Sequence, residues 1–201
     1  MINNYTTKVK EIISSHKSGW VFTHVDFNAL GSIATVERVL SRLLVSGEIK
    51  RVRRGIYYIP ENSRWGEVPP SQSNIIKALS RSMNTDFIPD GANALYQLGL
   101  TQQVPMKHVY LTDKQISTIS IGKTNIEFKK VSHKKLSGAK SGVSVYLSAL
   151  EYLGKEALQE SVKSRIANTI DKSMIDELEE ASKARAVWVR EVVKDITRRV
   201  A

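Results

Sequence analysis

The chain contains no cysteine, which excludes disulfides, thiolate zinc sites and cysteine nucleophiles. It also has no hydrophobic run approaching the roughly 18 residues that a membrane-spanning helix requires. The opening residues, MINNYTTKVKEII, are polar and then amphipathic, so no secretion signal is expected. Together these absences predict a cytoplasmic protein with no membrane partner. The four histidines, His16, His24, His108 and His133, are scattered without metal-ligand spacing. No serine or threonine sits in a nucleophile-elbow context. Gly122-Lys123-Thr124 resembles the end of a phosphate loop, but Ser117 stands where that loop needs glycine and a strand is expected where it needs a helix. A hairpin turn is the better reading. The expectation is therefore no enzyme, no metal and no cofactor.

What the chain does have is positive charge. Its 201 residues are 41% hydrophobic and 25% charged, the composition of a globular protein, with a net charge of +10. Residues 1–60 carry nine Lys/Arg against four Asp/Glu, residues 61–140 eleven against six, and residues 141–201 ten against ten. The excess falls on the first two-thirds. Such an excess attracts polyanions without distinguishing DNA from RNA or an anionic membrane.

Local patterning narrows the choice. Tyr5, Val9, Ile12 and Ile13 form one apolar stripe, predicting a helix from Asn4 to Ser15. Asp26 is the expected N-cap of a short helix from Phe27 to Leu30. Gly31 ends it, and Ser32 caps a third helix whose core face is Val36, Val39, Leu40, Leu43 and Leu44. Ile49 to Val52 and Ile56 to Ile59 then read as a hairpin joined across Arg53-Arg54-Gly55. Three helices followed by a basic hairpin predict a winged helix-turn-helix DNA-binding domain over residues 1–61. Pro69-Pro70 and neighbouring small polar residues place a linker at 62–73. Residues 74–201 are expected to form a second domain, mixed α/β to about residue 140 and helical after. The fold class is α+β.

The predicted nucleic-acid surface has two parts. Thr35, Arg38 and Arg42 share the side of the third helix away from its apolar residues. Arg matches guanine O6 and N7, Thr meets a base edge or thymine methyl, and Ser32 lies where helix amides favour a phosphate. The hairpin adds Lys50, Arg51, Arg53 and Arg54, four cations within five residues that repel one another and gain little by packing. Strand alternation puts some of them on each face. Double-stranded DNA is favoured over RNA because no platform of exposed aromatics is evident. Trp20 and Phe22 are expected in the core. Glu177, Glu179 and Glu180 are read as a helix surface balanced by Lys183 and Arg185. Trp188, Val192, Ile196 and Val200 share one stripe, read as a buried intramolecular face, with an oligomer contact as the alternative.

Farther on, the run from Pro89 to Pro105, PDGANALYQLGLTQQVP, is followed by His108-Val109-Tyr110-Leu111-Thr112. This resembles the signature of AbiEi-type antitoxins of type IV toxin–antitoxin (abortive infection) systems. Gly47-Glu48-Ile49 and Arg54-Gly55-Ile56-Tyr57-Tyr58 are similar to the N-terminal winged helix of that family, so both halves occur in the expected order. The resemblance implies a repressor that binds inverted repeats in its own promoter, with dimers on DNA a natural expectation. It further implies a second domain that counteracts a nucleotidyltransferase-type toxin; a stable complex with that toxin is not implied. Asn93, Gln97, Thr101, Gln102 and Gln103 are the polar residues of that run that could face a partner, beside the plainer reading of a polar loop over a packed helix. Two alternatives compete: a transcription regulator with a ligand-sensing second domain, and an interaction scaffold whose winged helix binds protein.

Overall fold

Helices and strands are mixed in the computed structural model, which describes residues 2–122, 124–136 and 142–200. The protein is α+β and divides into two units, Met1–Thr85 with Ile119–Lys123, and Asp86–Thr118 with Thr124–Ala201.

The first unit opens with α1 (Ile2–Ser14), which buries Val9 and leans Ile12 and Ile13 on the same core. After β1 (Val21–Phe22) comes a 3-10 helix, His24–Leu30, then α2 (Ile33–Val45), β2 (Lys50–Arg53) and β3 (Ile56–Tyr58). The strands form an antiparallel sheet in the order β1–β3–β2. Gly55 turns the β2–β3 hairpin at φ +81°, in the left-handed region that favours glycine. Val36, Val39, Leu40 and Leu43 of α2 pack on Val9, Phe22, Phe27 and Ile49. An aromatic stack lines this core, with Trp20 and Phe22 centroids 4.7 Å apart and Phe22 and Phe27 edge-to-face at 5.6 Å. Phe22 is fully buried and Trp20 partly so, as the sequence led one to expect.

Two expectations are corrected in this unit. Asp26 does not cap a helix beginning at Phe27. The helix starts at His24 with Thr23 as its N-cap, and Asp26 instead closes a capping box by accepting from the Thr23 amide at 2.8 Å. A capping box satisfies two end groups at once, which outweighs the single bond that an Asp cap supplies. The stretch 62–73, expected as a linker, carries most of a second hairpin, β4 (Glu61–Ser63) with β5 (Gly66–Val68), and the start of α3 (Gln72–Met83). The division between the units falls after Thr85 because α3 is tied to the strands before it. Ile75, Ala78 and Leu79 are buried, Asn74 Nδ2 donates to the Gly19 carbonyl at 3.0 Å, and Arg81 donates to Asp26 at 2.7 Å and to the Val21 carbonyl at 3.0 Å. Such long-range ties leave no trace in local composition.

The second unit contains β6 (Ile88–Pro89), α4 (Ala92–Gln97) and β7 (His108–Thr112). Strand β8 (Ile119–Ile121) groups with the first unit, and β9 (Thr124–Lys130) returns to the second. β6 pairs antiparallel and β9 parallel with β7. The expected Gly122-Lys123 turn lies partly outside the described residues, at Lys123. A 3-10 turn, His133–Leu136, precedes four helices, α5 (Ser144–Ala157), α6 (Glu160–Ala167), α7 (Ile175–Ser182) and α8 (Val187–Val200). They close on one core that includes Leu147, Leu150, Ile166, Leu178, Val189, Val193 and Ile196. Trp188, Val192 and Val200 are partly buried against that core, so the stripe that they form with Ile196 is intramolecular.

Arg185 differs from expectation. It does not balance the acidic residues of α7. It is buried, donates to the Lys135 carbonyl at 2.7 Å and lies 3.8 Å from Glu151. Glu180 pairs with Lys183, and Glu179 accepts from the Thr197 hydroxyl at 2.7 Å. Among the described residues, no helix is long and apolar enough to cross a membrane.

Candidate nucleic-acid interface

Positive charge is concentrated in the first unit. Its sequence holds thirteen Lys/Arg against six Asp/Glu, a net +7, whereas the second holds seventeen against fourteen, a net +3. The 3.6-residue period of α2 turns Val36, Val39, Leu40 and Leu43 inward and leaves the other side to solvent. Arg38 and Arg42, one turn apart, are exposed there, and no hydrogen bond or ion pair engages either guanidinium among the described residues.

Ser32 and Thr35 are placed differently from the arginines. Ser32 caps α2, its Oγ accepting from the Thr35 amide at 3.3 Å, and the two hydroxyls lie 2.9 Å apart. Thr35 is half-buried and its hydroxyl is held by Ser32. Exposed residues of α2 that sequence reasoning passed over are Ile33 (53% exposed), Ala34, Ser41 and Val45 (87%). The helical period places Ala34, Ser41 and Val45 off the apolar stripe, whereas Ile33, three residues before Val36 and seven before Leu40, continues it and is exposed as the first residue of the helix.

The β2–β3 hairpin separates its four basic residues. Arg51 stands opposite Tyr57, and Lys50 opposite Tyr58. Directly opposed residues share a face. Tyr57 stacks on Phe22 at 6.2 Å and packs on the core that α2 covers, so Arg51 shares the helix-bearing side of the sheet. Lys50 and Tyr58 lie on the other side, where both bind Glu67 of β5, Tyr58 donating at 2.6 Å. The Lys50 ammonium, and then the Tyr58 hydroxyl, hold the Glu67 carboxyl below its ordinary pKa. Burial, reinforced by Glu67, pushes Tyr58 up to about 12. After an irregularity between Arg51 and Arg53 the register shifts, and half-buried Arg53 faces Ile56. Arg54 is exposed at the turn. The side chains of Arg51 and Arg54, like those of Arg38 and Arg42, have no hydrogen bond or ion pair among the described residues. Alternation therefore takes Lys50 out of the set.

The β4–β5 ribbon is exposed along its whole length, with Trp65 85% exposed at its tip and the Arg64 guanidinium 5.0 Å from the ring centroid. No periodic signal marks so short a ribbon.

In the second unit the polar candidates separate as well. Asn93 is 1% exposed and donates to the Val109 carbonyl at 3.4 Å, while Gln97 donates to the Tyr110 hydroxyl at 3.4 Å. Burial raises the Tyr110 pKa, opposed in part by hydrogen bonds from Asn93 and Gln97. Thr101 Oγ1 accepts from the Gln103 amide at 3.2 Å, and the Gly99 and Leu100 carbonyls both accept from Arg165 at 3.4 Å. Gln97, Gln102 and Gln103 are exposed. Asn93 thus braces α4 on β7 and is turned away from any partner. Burial lowers the His108 pKa. Among the described residues, no group of three His, Cys, Asp or Glu side chains is placed to hold a metal ion.

A family model described as a family of unknown function, DUF6088, matches residues 8–178. Among solved structures, the Rv2827c protein from Mycobacterium tuberculosis is similar at a TM-score of 0.43 and 11% identity, covering 97% of this chain and 76% of that one. No curated protein matches.

Proposed function

We propose, for a chain that belongs to the DUF6088 family of unknown function, that it is a DNA-binding antitoxin whose first unit acts as a winged helix-turn-helix. In this reading α2 enters the major groove and the β2–β3 hairpin follows the adjacent phosphates. One observation carries the DNA half: Arg38, Arg42, Arg51 and Arg54 have no internal partner among the described residues, and α2 and the face bearing Arg51 pack on one core. Cations left without carboxylates gain most from a polyanion, through phosphate contacts and counterion release. The toxin-opposing half is supported by the AbiEi-like run from Pro89 to Pro105 and its following strand.

Binding of the full chain to a duplex from its own promoter tests the first half. Affinity should fall steeply with salt, each phosphate contact adding about 0.9 to the log–log slope. Failure to retard that duplex at low salt would remove the reading. Growth rescue on co-expression with a nucleotidyltransferase encoded by a neighbouring gene tests the second half. Rescue should persist when DNA binding is lost, because it is assigned to the other unit.

Glu67 supplies a finer test. It holds Lys50 on the far side of the sheet, so Lys50→Ala should change affinity by less than about twofold. Glu67→Gln releases one ammonium and should raise affinity about threefold, steepening the salt slope by up to about one phosphate's worth. Titrations at several salt concentrations decide it, and a large loss in Lys50→Ala would show that Glu67 yields Lys50 to the duplex.

A further inference from the structure

We propose that the first turns of α2 read thymine methyl groups beside a guanine, so that the operator half-site carries thymine where Ile33 and Ala34 meet it and guanine opposite Arg38. The inference rests on the duplex-binding reading above and specifies what chemistry that face recognises. It follows from what the outward face has available.

From Ile33 to Ser41 is about 12 Å along the axis, close to the width of the major groove. Recognition helices present mainly their N-terminal residues to base edges, so this is the segment that matters. Within it, Ile33, Ala34, Glu37, Arg38 and Ser41 are exposed. Thr35, the residue that a sequence reading would assign to a base edge, is half-buried with its hydroxyl against Ser32. Ahead of Glu37, therefore, the exposed start of α2 offers side-chain carbon. Ile33 gains little from the fold at 53% exposure and does not belong to the core that takes Val36, Val39, Leu40 and Leu43.

An apolar surface laid in a major groove meets one apolar group, the thymine C5-methyl; every other major-groove edge is a hydrogen-bond donor or acceptor. Placing Ile33 and Ala34 against cytosine or adenine would strip water from an amino group and return nothing, which makes the preference discriminating rather than merely permissive. Arg38 follows one turn later, exposed and without an internal partner, and its planar fork matches guanine O6 and N7.

The test changes the DNA first, so that it does not depend on a protein variant that folds. In the promoter duplex bound by the full chain, each thymine of the protected site is replaced in turn by uracil, which removes the methyl and nothing else. One or two positions per half-site should lose about threefold to fivefold in affinity, the value of a buried methyl. Ile33→Ala should lose a similar factor on the thymine duplex and nothing further on the uracil duplex at the coupled position. An unchanged melting temperature of Ile33→Ala confirms that the loss is local. Equal affinity for all thymine and uracil duplexes, with specific binding intact, would overturn the inference and leave the DNA-binding reading standing. Coupling that appears with Val45→Ala and not with Ile33→Ala would also overturn it. Absence of binding to any duplex would sink the underlying reading itself.

Discussion

Replacing both Arg38 and Arg42 by alanine should weaken binding to the promoter duplex by about a hundredfold, since a good bidentate contact to a base is worth about 1–3 kcal/mol. The melting temperature should barely move. Both guanidinium groups are exposed and neither bonds to another described residue, so truncation removes nothing from the fold. Charge alone would give a different pattern. Arg198 of α8 is also exposed, and Arg198→Ala lowers the net charge by one without touching α2. If Arg198→Ala weakened binding as much as Arg38→Ala, the effect would be a general field and the assignment of α2 to the groove would fall. Gel retardation across a salt series measures all three variants together.

The second large effect concerns stability. Phe22→Ala should destabilise the first unit by about 3–5 kcal/mol, the range for emptying an aromatic site in a packed core. Phe22 is 0% exposed and its ring contacts Trp20, Phe27 and Tyr57 at once, joining β1, the 3-10 helix and β3. Relaxation around the cavity would have to move three elements, which argues for the upper part of that range. A unit of this size holds on the order of 5–15 kcal/mol in total, so a large share of its stability is at stake. Trp65→Ala removes a bigger side chain and should cost within about 0.5 kcal/mol, because that indole is 85% exposed. Urea titration of the two variants separates them. Equal losses would mean that Trp65 is buried in solution and that the ribbon is folded back on the unit.

Where the sequence was legible, one element spoke for itself. The apolar stripe of α2 and the glycine of the β2–β3 turn are both set by residues within a turn or two of one another. The exposed arginines of α2 were legible for the same reason, being the complement of that stripe. What escaped were relations across distance. Lys50 looked like one more cation of the hairpin, and only Glu67, seventeen residues on, takes it out of play. Asn93 looked like a polar residue available to a partner until Val109 was seen to accept from it. Asp26 was given the wrong capping role because Thr23, three residues earlier, competes for the same function and wins by a reciprocal pair of bonds. The membership of α3 was invisible for a similar reason. Pro69-Pro70 marks a change of direction, which local composition cannot tell from a change of domain.

The β4–β5 ribbon leaves and rejoins the main path at nearly one point, since Glu61 and Val68 are paired across it. The route from β3 to α3 is therefore fixed by its two ends, and the excursion between them is free to lengthen, shorten or vanish during divergence without moving the core. Any relative that loses it also loses Glu67, and with it the counter-charge on Lys50. Length change in this one excursion would thus free one whole positive charge on the β2–β3 hairpin, with no substitution in either α2 or the hairpin itself.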